Sequence, residues 1–165
     1  MKREQALSIV LATRADIPEI LRLVRGLAEY EKLSSEVVAT EQRLAESLFG
    51  ATPGAEVVLA RVGDTTVGFA LFFHNYSTFL GQRGLYLEDL FVWPQYRARG
   101  YGDRLLQHLA RLAVERGCGR FEGSVLDWNE SAIRFYRKVG AVPMKGWTVF
   151  RLSGEALGRL ARGPA

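Results

Sequence analysis

Residues 56 to 73, EVVLARVGDTTVGFALFF, restrict the fold more than any other stretch. They are two apolar, β-branched runs separated by Gly63-Asp64. A Gly-Asp pair suits a tight turn, so Glu56–Val62 and Thr66–Phe73 are expected to fold back on one another as an antiparallel hairpin. A third run, Leu85–Val92, reads as another strand, and Pro94 ends its pairing. Three strands in succession commit the middle of the chain to an antiparallel sheet.

The flanks supply the cover. Ser8–Ala12 reads as a first strand. Asp16 stands where it can cap a helix, with Pro18 tolerated in the first turn. Ile17, Ile20, Leu21, Val24, Leu27 and Ala28 then form one apolar stripe. Thr40 opens a second, shorter helix bearing Leu44, Leu48 and Phe49. Gly102–Arg116 carries Leu105, Leu106, Leu109, Leu112 and Ala113 at helical spacing and stops at Gly117. Further on, Phe121–Leu126 reads as a strand, Asn129–Val139 as a helix stopped by Gly140, Trp147–Leu152 as a strand and Gly154–Ala161 as a terminal helix. The order β-α-α-β-β-β-α-β-α-β-α describes an α/β chain of the mixed α+β kind. A central mixed, mostly antiparallel sheet has helices on both faces. A length of 165 residues suits a single domain spanning 1–165.

Composition narrows the function. Apolar content of 48 % and charged content of 24 % are those of a soluble globular protein. A single cysteine, Cys118, excludes an intrachain disulfide framework, and no metal-ligand cluster is readable. No apolar run approaches the roughly 20 residues that span a bilayer. The opening MKREQALSIVLATRAD has a basic start and a short apolar run, but no cleavage site, so no leader and a cytoplasmic protein are expected. The net charge of +4 is spread along the chain. It matches no nucleic-acid-binding signature, while it favours an anionic ligand. His74, His108 and Cys118 read as structural.

One stretch points to that ligand. In FVWPQYRARGYGDRLL, residues 91–106, Arg97-x-x-Gly100-x-Gly102 sits between a strand and a helix start. Unpaired N–H groups and the positive end of the helix dipole attract phosphate there, and glycines let the backbone approach it. The pattern is neither G-x-G-x-x-G nor a P-loop, which removes the common dinucleotide and nucleoside-triphosphate readings.

These residues resemble the R/Q-x-x-G-x-G/A signature of the GNAT superfamily of N-acetyltransferases. A second stretch, DWNESAIRFYRKVGA at 127–141, resembles the same family's N-x-x-A-x-x-x-Y helix. LAEYEKL, GLYLEDLFVWPQYRARGYG and the Gly146-Trp147 link are similar to the diamine (spermidine/spermine) and thialysine acetyltransferase subfamily. The resemblance covers nearly the whole chain and implies a GNAT fold with acetyl-CoA as acyl donor, no metal and a homodimer. It further implies that Leu90, Phe91 and Val92 hold the pantetheine arm. Arg97, Ala98, Arg99, Gly100, Tyr101, Gly102 and Asp103 would surround the pyrophosphate, with Asn129, Ser131 and Ala132 at a second helix start.

A primary ammonium cannot attack a thioester until it loses a proton. Glu88 matches the family's glutamate for that step. Regular alternation sets it on one face with Tyr86, Leu90 and Val92, where desolvation would raise its pKa. Tyr136 matches the family's general-acid tyrosine, though Ala132, Phe135, Tyr136 and Val139 also make a core-like stripe. Tyr30 and Glu31, with Glu88, Asp89 and Glu122, correspond to the acceptor-binding positions. AVPMKGW departs from the subfamily in carrying Lys145 where an acid is expected. The implied reaction is direct acetyl transfer to a small cationic amine, a polyamine or thialysine-like molecule. A protein N-terminus, a lysine or an aminoglycoside as acceptor, and a silent acyl-CoA-binding module, stay open.

Overall fold

The computed structural model describes residues 6–163. The basic residues that open the sequence lie outside them. Two compact units make up the chain, one reaching to Ser124 and one from Val125 onward.

The first unit holds the sheet. Its strands are β1 (Leu7–Leu11), β2 (Glu56–Val62), β3 (Thr65–Ser77), β4 (Gln82–Val92) and β5 (Phe121–Gly123), side by side in that order. The first four are antiparallel neighbours, and β5 runs parallel to β4. The Gly63-Asp64 turn forms as expected: Val62 pairs with Thr65, and Gly63 takes a φ of 60°. Helices α1 (Ile17–Tyr30), α2 (Glu41–Phe49) and α3 (Tyr101–Glu115) complete the unit.

Val57 through Ala60 are all buried, which requires cover on both faces of the sheet. On one face Val57, Leu59, Phe69 and Phe91 pack with Ile20 and Leu23 of α1 and Leu48 of α2. Alternation turns Val58, Ala60 and Ala70 to the other face, where Leu105 and Leu109 of α3 are fully buried. Each large side chain removed from water here contributes about 1.5–3 kcal/mol, so these faces, more than helix propensity, hold the unit together. Thr40 caps α2 by accepting the Arg43 N–H. Asp16 does not cap α1. Its carboxylate turns back to accept the Thr13 N–H and hydroxyl and pairs with Arg61, joining the start of α1 to β2.

The second unit contains α4 (Glu130–Lys138) and α5 (Gly154–Arg162). Asn129 caps α4, its side chain accepting the Ala132 N–H at 3.1 Å. Two expected strands differ. Phe121–Leu126 shortens to Phe121–Gly123, and the parallel ladder stops at the pair Leu87 and Gly123. Trp147–Leu152 forms no strand among the described residues. A strand exists only with a partner for its backbone groups, and no described strand pairs with this one.

Candidate active site

The site begins with an irregularity in β4. Leu71 pairs with Asp89 and Phe72 with Leu87, so Glu88 is an extra residue opposite no partner. Such a bulge bends the strand and inverts its alternation. The expectation that Glu88 shares a face with Tyr86, Leu90 and Val92 is therefore corrected. Tyr86 belongs with Asp89 and Phe91 on the α1 face, opposite Phe73, Leu71 and Phe69, while Leu90 and Val92 side with Leu87. Glu88 itself is exposed.

Asp89 is the perturbed acid. Burial, followed by the charges of Glu88 and Glu31, pushes its carboxyl up to about 7. Glu31, just past the last turn of α1, is also pushed up by burial. Two carboxylates thus act on Asp89: Glu31 from the end of α1 and Glu88 from the bulge. Such a set is costly empty and suited to a cation. Glu122 is not in it. Its carboxylate lies 2.9 Å from Arg120 Nε and accepts the Asn75 amide N–H at 3.0 Å, so its charge is already answered.

Past the bulge, no described strand pairs with the second edge of β4. Its pairing with β5 ends at Leu87, and the Trp93 N–H donates to Val67 O of β3. Alternation along the strand then turns the N–H and C=O of Leu90 and Val92 away from β3. These are groups that an extended amide-bearing chain can pair with. The following turn, Pro94–Tyr96, leads into two left-handed residues, Ala98 at φ 60° and Gly100 at φ 76°. Gly100 is the residue before α3, and a left-handed residue followed by a helical one gathers successive N–H groups toward one point, a known way to hold an anion. A Cβ on Gly100 would find nothing within 4 Å, so the space before the helix start is open. This geometry fits a pyrophosphate.

Two of the arginines expected near that phosphate are otherwise engaged. Arg97 Nε donates to Val92 O at 2.9 Å, and its guanidinium lies over the Tyr30 ring at 4.3 Å. Arg99 Nη2 reaches back to Gln95 O at 3.4 Å, with its guanidinium near the Tyr96 ring. In the second unit, burial pushes the Tyr136 phenol up to about 12. Ser131 and Ala132 lie in the first turn of α4. Lys145 sits in a turn of the segment before Trp147. Sequence reasoning missed the bulge; the signal available was a Glu-Asp doublet inside an otherwise apolar strand, which regular alternation would put on opposite faces.

Comparison with known proteins agrees with this geometry. Residues 20–141 match the model of the acetyltransferase (GNAT) family. A thialysine N-epsilon-acetyltransferase of Bos taurus is 40 % identical over 161 residues, covering 91 % of this chain and 94 % of that protein. An L-ornithine N5-acetyltransferase of Arabidopsis thaliana is 34 % identical, over 90 % of this chain and 85 % of that protein. Among solved structures, an integron cassette protein from V. cholerae superposes with a TM-score of 0.81 at 26 % identity, over 95 % of this chain and 98 % of that one. With the mixed sheet, the bulged fourth strand and the glycine turn, these matches establish that the chain belongs to the GNAT family and is an N-acetyltransferase.

Proposed function

We propose that the protein moves an acetyl group from acetyl-CoA directly to the primary amine of a small cationic acceptor, polyamine-like or thialysine-like. The observation that carries this reading is the carboxylate set Glu31, Glu88 and Asp89, beside the open edge of β4. Tyr30 adds an aromatic face one residue before Glu31. On the donor side, Leu90 and Val92 would pair with the pantetheine amides, and the N–H groups from Ala98 to Asp103 would hold the pyrophosphate. The family signature crosses both units, which supports the chain's working as one domain.

The chemistry follows from proton affinities. An ammonium near ~10.4 gives its proton to an ordinary carboxylate near ~4 at a cost of about 9 kcal/mol. To Asp89 at about 7 the cost falls to about 5 kcal/mol. Glu88 and Asp89 would thus receive the ammonium and take its proton, directly or through water. The free nitrogen attacks the thioester carbonyl carbon, the C–S bond breaks, coenzyme A leaves as a thiolate, and the nitrogen gives its second proton to water or to the departing sulfur, leaving a neutral amide. Tyr136, nominated by its match to the family helix, would donate a hydrogen bond to that sulfur. Full transfer of a proton from a phenol at about 12 to a thiolate near ~8.5 is uphill by about 5 kcal/mol. The hydrogen bond is therefore the greater part of its help.

We further propose a homodimer in which the second copy covers residues 147–152. Their strand-like pattern lacks a ladder among the described residues, and Trp147 and Phe150 are 78 % and 93 % exposed. Sedimentation of the wild type and of a Trp147→Asp/Phe150→Asp variant tests it: a dimer for the first and a monomer for the second are expected, and a monomeric wild type overturns it.

The deciding experiment for the reaction is thiol release from acetyl-CoA across polyamines, thialysine, ornithine, lysine, aminoglycosides and peptides. Preference for the small cationic amines is expected. Equal turnover of peptides or neutral amines would reject the acceptor class, and no thiol release with any amine would reject the reaction.

A further inference from the structure

We propose that Arg97, the first residue of the glycine signature, is a positioning residue that ties the acceptor end of the site to the donor edge. Its side chain does not serve as a phosphate ligand. The inference rests on the acceptor and donor assignments above, and the observations behind it are independent of them. One planar guanidinium spans two elements: it lies 4.3 Å above the Tyr30 ring at the end of α1, and 5.5 Å from the Phe91 ring of β4. Its Nε–H donates to the carbonyl of Val92, the last residue of β4, at 2.9 Å.

That carbonyl lies on the open edge, where alternation has turned it away from β3. Arg97 takes one of the two acceptor sites of that carbonyl, while no backbone bond among the described residues takes the N–H of Val92 or the outward groups of Leu90. The arginine therefore helps set which backbone groups a thioester arm meets. At its other end it stacks on Tyr30, whose neighbour Glu31 is one of the two charges acting on Asp89. A guanidinium suits both roles, because its plane stacks on an aromatic ring while its edge keeps a directed N–H. A lysine could fill only the first.

The test separates positioning from phosphate binding. Arg97→Met keeps the aliphatic stem and removes the charge, the stacking and the donor. Its kcat/KM should be measured with acetyl-CoA and with S-acetylpantetheine, which lacks the pyrophosphate, together with the acceptor KM. A positioning role should lower both donors' values by a similar factor, about threefold to tenfold, and raise the acceptor KM. Arg97→Lys should recover the acceptor KM and leave the donor defect. In the Tyr30→Leu/Arg97→Met double variant, the effects on acceptor KM should be less than additive. A loss confined to acetyl-CoA would make Arg97 a phosphate ligand and overturn the proposal, as would wild-type values throughout or strict additivity. Thermal midpoints should stay close to wild type, since the side chain is exposed. If the wild type acetylated only neutral acceptors, the acceptor reading would fall, and the comparison of the two donors would still decide the role of Arg97.

Discussion

Leu71 of β3 pairs with Asp89 of β4, one step beyond the point where the ladder skips Glu88. That single skipped residue turns Asp89 toward the α1 face, where the charge of Glu31 reaches it, and leaves Glu88 on the exposed kink. It also coincides with the end of the β4–β5 ladder, so one bulge bends the strand, opens its edge and concentrates negative charge.

Asp89 should destabilise the fold at neutral pH. Its folded pKa of about 7 lies above the ordinary 3.8, so the folded state holds the proton more tightly. The contribution is harmless below the ordinary value, and stability is lost as pH rises through the interval up to about 7. The loss is at most about 4 kcal/mol, at 1.36 per unit. Asp89→Asn should therefore be more stable than wild type at pH 8 and indistinguishable from it near pH 4. Urea unfolding at both values checks this, and an equal difference at both would refute it.

Acceptor binding should titrate with the same group. A cationic amine binds ionised Asp89 better, so its KM should fall as pH rises through about 7. Glu31→Gln removes one of the charges that hold the proton on Asp89. It should raise the acceptor KM on the alkaline side and move the inflection to lower pH, with little change in acetyl-CoA affinity. In Asp89→Asn the inflection should vanish.

Gly100 separates strain from charge. At φ 76° with open space around a Cβ, an alanine would suffer only the left-handed penalty, about 1–2 kcal/mol. Asn and Asp tolerate that region similarly, so Gly100→Asn and Gly100→Asp should be about equally stable. Acetyl-CoA should bind the Asp variant at least about tenfold more weakly than the Asn variant, and added salt should shrink the gap. Equal affinity by titration calorimetry would remove the pyrophosphate from this turn.

Gly26 is a packing glycine. A Cβ there would lie 2.6 Å from Trp93 ring atoms and 3.1 Å from Phe91 Cε1. Trp93 has little room to yield: it meets Phe91 edge-on at 5.1 Å and carries the Arg22 guanidinium at 4.6 Å. Gly26→Ala should therefore destabilise by about 1–3 kcal/mol despite its better helix propensity, read as a lower thermal midpoint.

Tyr136→Phe keeps the ring and removes the hydroxyl. If the phenol hydrogen-bonds the departing sulfur, kcat should fall about tenfold to a hundredfold with acetyl-CoA affinity unchanged. An activated thioester with a more acidic thiol should lose less. A wild-type kcat would return Tyr136 to packing alone.

Much of the fold is legible in the sequence because it is local. Gly63-Asp64 can turn only one way between two β-branched runs, and Thr40 and Asn129 cap the helices they precede because a side-chain oxygen three residues upstream reaches a free N–H. The glycine turn is legible for the same reason, since Gly100 supplies a backbone angle that other residues resist. The acidic cluster is legible only in part. Motif position groups Glu31, Asp89 and Glu122, whereas packing brings the charge of Glu31 to bear on Asp89 and leaves Glu122 out. Arg120 pairs with Glu122 from two residues away, but the Asn75 amide that also holds it comes from β3, far off in sequence.

The sequence by itself determined most of the strand and helix segments, the hairpin, the caps of α2 and α4 and the family signatures, each written within a few residues by backbone preference and side-chain spacing. Only the tertiary structure decided the register. Where β3 met β4, one residue had to be left over, and the bulge at Glu88 inverted every face beyond it. Only tertiary packing then turned Arg97 onto Tyr30 and Val92 and left residues 147–152 without a ladder among the described residues. Pairing and burial are properties of two segments at once. A pattern read along one segment carries what that segment prefers, and its partner decides what it does.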